Sequence, residues 1–290
     1  MSFKPFIISL ALATAAFSAP TFALDATMVR IKATKSINLG YRASSAPFSS
    51  VGAGGADGAG RAPQGYSIEL CKRAAQSVQS ALKLPDLKMK WVAVTAENRF
   101  TMLKSGKIDI ECGVTTNTLA RQREFDFSLM TFADGANLLS KSESGIDSLA
   151  KTAGKKIGIV GNTTTESAIK AALAKRSISA QVVSIKDHAE GLAALKSGAV
   201  DAYAADQVVL MGLAGGDAKA YRLGADLLSY EPYGLMMRAA QRDLKLAVDT
   251  ALARLYRDSA IVALYSTHFG AFGEPSLLLQ AMYSLNGLPD

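Results

Sequence analysis

From residue 37 onward short β-branched runs alternate with stretches of helical period, which restricts the chain to an α/β fold, since parallel strands need helical crossovers between them. Runs at 37–41, 88–93, 108–112, 156–160, 181–185 and 201–205 predict strands. The spacing predicts a helix over 66–82, with Ile68, Cys71, Ala75, Val78 and Leu82 on one face, and 165–175 and 189–197 repeat the pattern. Further helices are expected over 208–213, 242–258 and 260–269.

Two segments interrupt the series. After Phe125-Asp126-Phe127-Ser128 comes a stretch without clear helical period, then 136–140 reads as an extended connector, and 233–237 reads as a second one. Two connectors imply a discontinuous first lobe: lobe 1 at 24–132 plus 232–290 and lobe 2 at 133–231, with a ligand expected in the cleft between them. A length of 290 residues suits two lobes, because one hydrophobic core stops growing near that size. The Gly- and Ala-rich stretch 52–65 lacks phosphate-loop spacing and reads as a flexible surface loop.

The first residues stand apart. A short positive segment, 1–4, precedes an apolar run, 5–19, and Thr21-Phe22-Ala23 is a small-x-small signal, together predicting a secretory leader, 1–23, cut after Ala23. No later stretch is long and apolar enough to span a bilayer. Export and the dispersal of the 32 Lys and Arg residues argue against nucleic acid as the partner of a chain with net charge +7.

Ligands in open α/β sheets bind beyond the carboxyl ends of the strands. Six expected strand ends each offer polar groups: Arg42, Arg99, Thr115 with Thr116, Thr163 to Thr165, His188 and Asp206. Arg99 follows Asn98, a good N-cap, so its cation opposes a helix dipole and suits either a bound anion or a solvated surface. Asp206 fits an N-cap for 208–213, Thr163 with Glu166 three residues on fits a capping box, and Arg42 and His188 taken singly read as a surface charge and a structural histidine. Asp109 and Glu111 share a strand face and read as a solvated edge. Two histidines and two cysteines provide no zinc set, and neither a G-x-S-x-G elbow nor an H-E-x-x-H motif is present, so no metal, cofactor or catalytic residue is expected. Cys71 and Cys112 fall on apolar faces; export permits a disulfide, and the expectation leans to two buried thiols.

Three segments, GYRASSAPFS (40–49), ENRFTMLKSGKIDIECGVTTNTLARQ (97–122) and SIKDHAEGLAALKSGAVDAYAAD (184–206), resemble the polar amino-acid periplasmic solute-binding proteins of ABC transporters, family 3, and within them the branch that takes glutamate and aspartate. The resemblance implies a two-lobed type II binding-protein fold, each lobe a mostly parallel sheet flanked by helices and joined by two hinge strands. It also implies a monomer in the periplasm that hands its ligand to an inner-membrane permease with an ATPase. Arg99 would clamp the ligand α-carboxylate with Thr116 and backbone amides near Val114 and Thr115. Asp206 would take the α-ammonium, Arg42 and His188 the side-chain carboxylate, with Arg121, Thr163 and Thr164 nearby. Ala96 and Val114 stand where the closest relatives carry serine hydroxyls, which leaves room for another amino acid or dicarboxylate. Dehydratases on the same fold are the alternative from another class.

Overall fold

The computed structural model describes residues 24–52, 62–215, 217 and 219–289. The expected leader, 1–23, and most of the 52–65 loop lie outside the described residues. In chain order the elements are α1 (Ala26–Thr34), β1 (Ser36–Arg42), β2 (Ser44–Ser45), β3 (Ser49–Ser50), α2 (Tyr66–Leu82), β4 (Lys88–Val94), α3 (Arg99–Lys104), β5 (Ile110–Glu111), α4 (Leu119–Gln122) and β6 (Phe125–Asp134). There follow β7 (Ala136–Lys141), β8 (Lys156–Val160), α5 (Thr164–Lys175), β9 (Gln181–Ile185), α6 (His188–Ser197), β10 (Ala202–Asp206), α7 (Gln207–Ala214) and β11 (Tyr221–Leu223). The chain closes with β12 (Glu231–Arg238), α8 (Arg242–Arg257), α9 (Ala260–Phe269) and α10 (Leu277–Asn286).

Two five-stranded sheets carry the fold, ordered β4-β1-β5-β12-β6 and β11-β7-β10-β8-β9. Both are mixed but mostly parallel, one strand in each, β12 or β7, running against the other four. In the first, β1 runs parallel to β4 and β5 while β12 is antiparallel to β5 and β6; in the second, β8 runs parallel to β9 and β10 while β7 is antiparallel to β10 and β11. The parallel portions are those built through helical crossovers. The antiparallel strands lie in or beside the segments that carry the chain between sheets, where no crossover constrains direction.

Those crossing segments differ from expectation in one respect. The stretch 136–140, read as a bare connector, is β7, hydrogen-bonded in the second sheet. The crossing belongs to β6, whose residues after Ser128 show no helical period because they are strand, and to β12, which pairs along it from Arg238↔Phe125 to Glu231↔Asp134.

The amphipathic face of α2 is buried as its spacing predicts, and it packs on α8. α1, which the sequence pattern left unassigned, is tied down by Asp25, whose Oδ1 accepts from Met28 N at 2.9 Å and whose Oδ2 accepts from the Asp243 and Leu244 amides. One carboxylate therefore caps two helix starts.

Two further expectations are overturned. Cys71 and Cys112 form a disulfide with Cα atoms 6.1 Å apart, because the buried face of α2 lies over the end of β5. Asp109 and Glu111 are not on a solvated edge: β5 sits between β1 and β12, and both acids are buried. Asp109 accepts from Arg30 Nη2 at 2.5 Å and from Asn38 N at 2.8 Å, while burial holds its carboxyl above the usual range.

Candidate functional site

The carboxyl ends of β1, β8 and β10 and the N-termini of α3, α5 and α6 open onto one cavity. Nine of the ten residues expected in the site line it: Arg42, Arg99, Val114, Thr116, Arg121, Thr163, Thr164, His188 and Asp206. Thr115 does not reach the lining; it is buried with Oγ1 lacking a hydrogen-bond partner. Thr165, Val160, Ala204 and Ala205 complete the wall.

Arg42 closes β1 and is 5% exposed, so the surface-charge reading gives way to a buried cation. Burial lowers its pKa and the Glu111 carboxylate below it opposes the fall. Glu111 itself is fully buried with both oxygens lacking a hydrogen-bond partner, so its field serves the arginines.

Arg99 is the first residue of α3 and is 3% exposed. Asn98 precedes it without capping: its Oδ1 turns back to accept from Thr95 N at 2.9 Å. The Arg99 guanidinium donates to Ala96 O, and across the cleft to Asn162 O at 3.1 Å, and Nε has no partner. Burial, with the charge of Arg42 adding to it, pulls its pKa down to about 9. Arg121 donates to Thr116 O at 2.7 Å, and both Arg99 and Arg121 lie over the Phe100 ring, at 4.3 and 5.4 Å from its centroid.

The opposing charge comes from Asp206 at the end of β10. It occupies the N-cap position of α7 but makes no cap bond; Asp134 of β6, 72 residues earlier, accepts from Val208 N at 3.0 Å instead. Asp206 is thus released to accept from Thr165 Oγ1 at 2.8 Å and from the Tyr233 hydroxyl. Burial, reinforced by the charge of Glu231, raises its pKa to about 6, and burial beside Asp206 raises Asp134 to about 7.

Glu231, which sequence reasoning missed, opens β12 and is buried. Its Oε2 accepts from Thr116 at 2.5 Å and from Thr164 at 2.6 Å, two hydroxyls that lie 3.0 Å apart across the cleft. Their protons face Glu231, so lone pairs remain for the cavity. Ser229, two residues earlier, donates to its other oxygen at 2.5 Å, but the two site hydroxyls that meet on Glu231 are 115 and 67 residues away, so no local signal marks its role in the cleft.

Thr163 caps α5 as expected, accepting from Glu166 N at 3.1 Å, while Glu166 reaches back to Asn162 N at 3.0 Å. His188 opens α6, buried, with Nδ1 2.6 Å from the Tyr203 hydroxyl. Burial and the charge of Arg42 depress its pKa to about 3, so it stands as a neutral ring. Ala96 does not line the cavity; it packs against the core of the second sheet, whereas Val114 is on the wall.

Chemically the cavity presents three guanidinium groups, one carboxylate within its wall and neutral donors. That arrangement fits a small zwitterion carrying excess negative charge. Among the described residues no helix is long and apolar enough to cross a membrane, and no cluster of His, Cys, Asp and Glu could hold a metal ion.

The chain is similar to several known proteins. The L-glutamate/L-aspartate-binding protein of Pseudomonas aeruginosa is 34% identical over 276 residues, covering 93% of this chain and 89% of that protein. The glutamate/aspartate import solute-binding protein of Escherichia coli K12 is 31% identical over 253 residues, 86% of this chain and 80% of that protein. A solved ancestral amino acid-binding protein, described as a precursor of cyclohexadienyl dehydratase, superposes with a TM-score of 0.71 at 26% identity, covering 84% of this chain and 99% of its own. Residues 37–271 match the family model of the bacterial extracellular solute-binding proteins, family 3, and the chain belongs to that family.

Proposed function

We propose that this protein is the periplasmic receptor of an ABC importer for acidic amino acids, glutamate or aspartate, and that it acts as a monomer without catalysis. The observation that carries the reading is the convergence of Arg42, Arg99 and Arg121 with Asp206 on a single cavity between the two sheets. Names of relatives 34% and 31% identical support the same ligand class. Residues 1–23 would be the exported leader, 24–132 plus 232–290 the first lobe and 133–231 the second. An inner-membrane permease and its ATPase would take the closed complex.

In this reading Arg99 and backbone amides near Val114 and Thr115 hold the α-carboxylate, and Asp206 the α-ammonium, with the Thr116 oxygen as a further acceptor. Arg42 and a neutral His188 hold the side-chain carboxylate, and Arg121, Thr163 and Thr164 border the ligand. Because the residues come from both lobes, the ligand favours closure. The test is calorimetric titration of refolded, ligand-free protein with glutamate, aspartate, glutamine, asparagine and prephenate. Tight binding of an acidic amino acid is expected; indifference to all four amino acids overturns the reading. The dehydratase alternative draws on the ancestral neighbour and on Asp206, whose pKa near 6 suits a general acid. Turnover of prephenate in the same samples would favour it.

Two results are expected at this site. Arg42→Ala lowers glutamate affinity by about a hundredfold and glutamine affinity far less, since a lost charge-assisted contact costs about 1.5–3 kcal/mol; equal losses contradict the assignment. Affinity also depends on pH through Asp206. Its pKa in the free cleft is raised to about 6, and an ammonium favours the ionised form, so binding weakens by up to about tenfold per pH unit as pH falls through 6 and is flat above 7. Titrations at pH 5, 6, 7 and 8 read this directly, and a constant affinity down to pH 5 removes Asp206 as the ammonium partner.

A further inference from the structure

We propose that Tyr203 is a positioning residue that locks His188 in the tautomer with its proton on Nε2, so that the cavity offers a neutral donor at the side-chain end of the ligand. The proposal rests on the reading of His188 as a ligand contact.

The lock follows from counting donors. Tyr203 is fully buried in β10, and its hydroxyl lies 2.6 Å from His188 Nδ1 with no other hydrogen-bond partner among the described residues. If Nδ1 carried the proton, the hydroxyl could only accept, and its own proton would be left unpaired in a site closed to water. A buried donor left unpaired is costly, because its lost hydration is not replaced. If the hydroxyl donates to Nδ1, both groups are satisfied, and Nε2 must carry the ring proton. Arg42 disfavours a second proton on the ring, and burial keeps the phenol protonated. His188 is therefore a donor at Nε2 and no charge is added.

The same helix makes room for the arrangement. A Cβ at Gly191 would lie 2.2 Å from Tyr203 Cε2 and 2.4 Å from Cζ, so the phenol can cross α6 only where a side chain is missing. Gly191 is three residues beyond His188, on the same face of α6. A mid-helix glycine is less favourable than alanine for helix formation. Here it seats the ring that orients the histidine.

A fixed Nε2–H favours a carboxylate and disfavours a ligand group that must donate. The experiment compares wild type with Tyr203→Phe and Gly191→Ala, using long-range ¹⁵N–¹H correlation of the His188 ring in ligand-free protein and titration with glutamate and glutamine. Wild type is expected to show an unprotonated Nδ1 and a protonated Nε2, and both variants a tautomer mixture. The glutamate-to-glutamine affinity ratio should fall by about three- to tenfold, the equivalent of one neutral hydrogen bond. A protonated Nδ1 in wild type overturns the lock, whether or not the variants fold. A tautomer mixture with an unchanged ratio overturns its role in selectivity. Failure of wild type to bind either amino acid overturns the ligand assignment instead, a result the ligand-free spectrum does not depend on.

Discussion

Arg99→Ala is expected to abolish ligand binding, with a loss of about a thousandfold or more. Truncating one partner of a buried, hydrogen-bonded charge pair costs about 2–5 kcal/mol, and Arg99 is placed to make such a pair. It is 3% exposed, it begins a helix whose dipole opposes it, and among the described residues no carboxylate approaches within salt-bridge distance. Two backbone carbonyls hold the guanidinium and its Nε has no partner, while burial drags its pKa down to about 9. A fold tolerates a cation so desolvated where an incoming anion completes it. Arg99→Lys should fail to restore binding, since a point charge cannot reproduce the fork that grips a carboxylate. Arg99→Met should bind no ligand and yet melt at or above the wild-type temperature, because replacing an uncompensated buried charge by an apolar side chain of similar length relieves desolvation. Calorimetry with glutamate and thermal melting of the same samples measure both effects. Near-wild-type affinity in Arg99→Ala would sink the clamp.

Loss of the Cys71–Cys112 bridge is expected to have the largest effect on stability. The two cysteines are 41 residues apart in sequence, and the chain-entropy relation for a loop of that length predicts about 4 kcal/mol. At this size about 2–4 °C is lost per kcal/mol, so the Cys71→Ser/Cys112→Ser variant should melt roughly 10 °C lower. The bridge is buried at both ends, so a reductant should act only after unfolding. Thiol titration of unfolded, unreduced protein should find no free thiol. Two titratable thiols, with unchanged melting in the double variant, would contradict the pairing. The consequence reaches the cleft as well, since Cys112 is followed by Gly113 and then by Val114 on the cavity wall.

The candidate site was unusually legible for a sequence with no catalytic motif. Arg42, Asp206 and His188 each stand at a strand end or helix start because period and caps are local properties, and strand ends in an α/β sheet converge on one rim. Thr163 was recognisable as a cap for the same reason. Where the reading failed, the deciding partner was remote. The Asp206 cap went to Asp134 of another strand, and the lone-histidine reading missed the hydroxyl of Tyr203. Asp109 and Glu111 looked like an edge because alternation reveals only which residues share a face, and β12, which covers β5, arrives more than a hundred residues later.

The amino-acid sequence by itself determined the strands β1, β4, β5, β8, β9 and β10, the helices α2 and α5 to α9, and the rim on which the arginines and Asp206 meet. These follow from hydrophobic period, from capping residues and from the direction of parallel strands. Tertiary structure alone decided the disulfide, the burial of Glu111 beneath Arg42, the Glu231 junction of Thr116 with Thr164, and the pairing of His188 with Tyr203. The physical reason is desolvation: once packing removes water, each polar group must take the partner the fold brings to it, and that partner is set by distance in space.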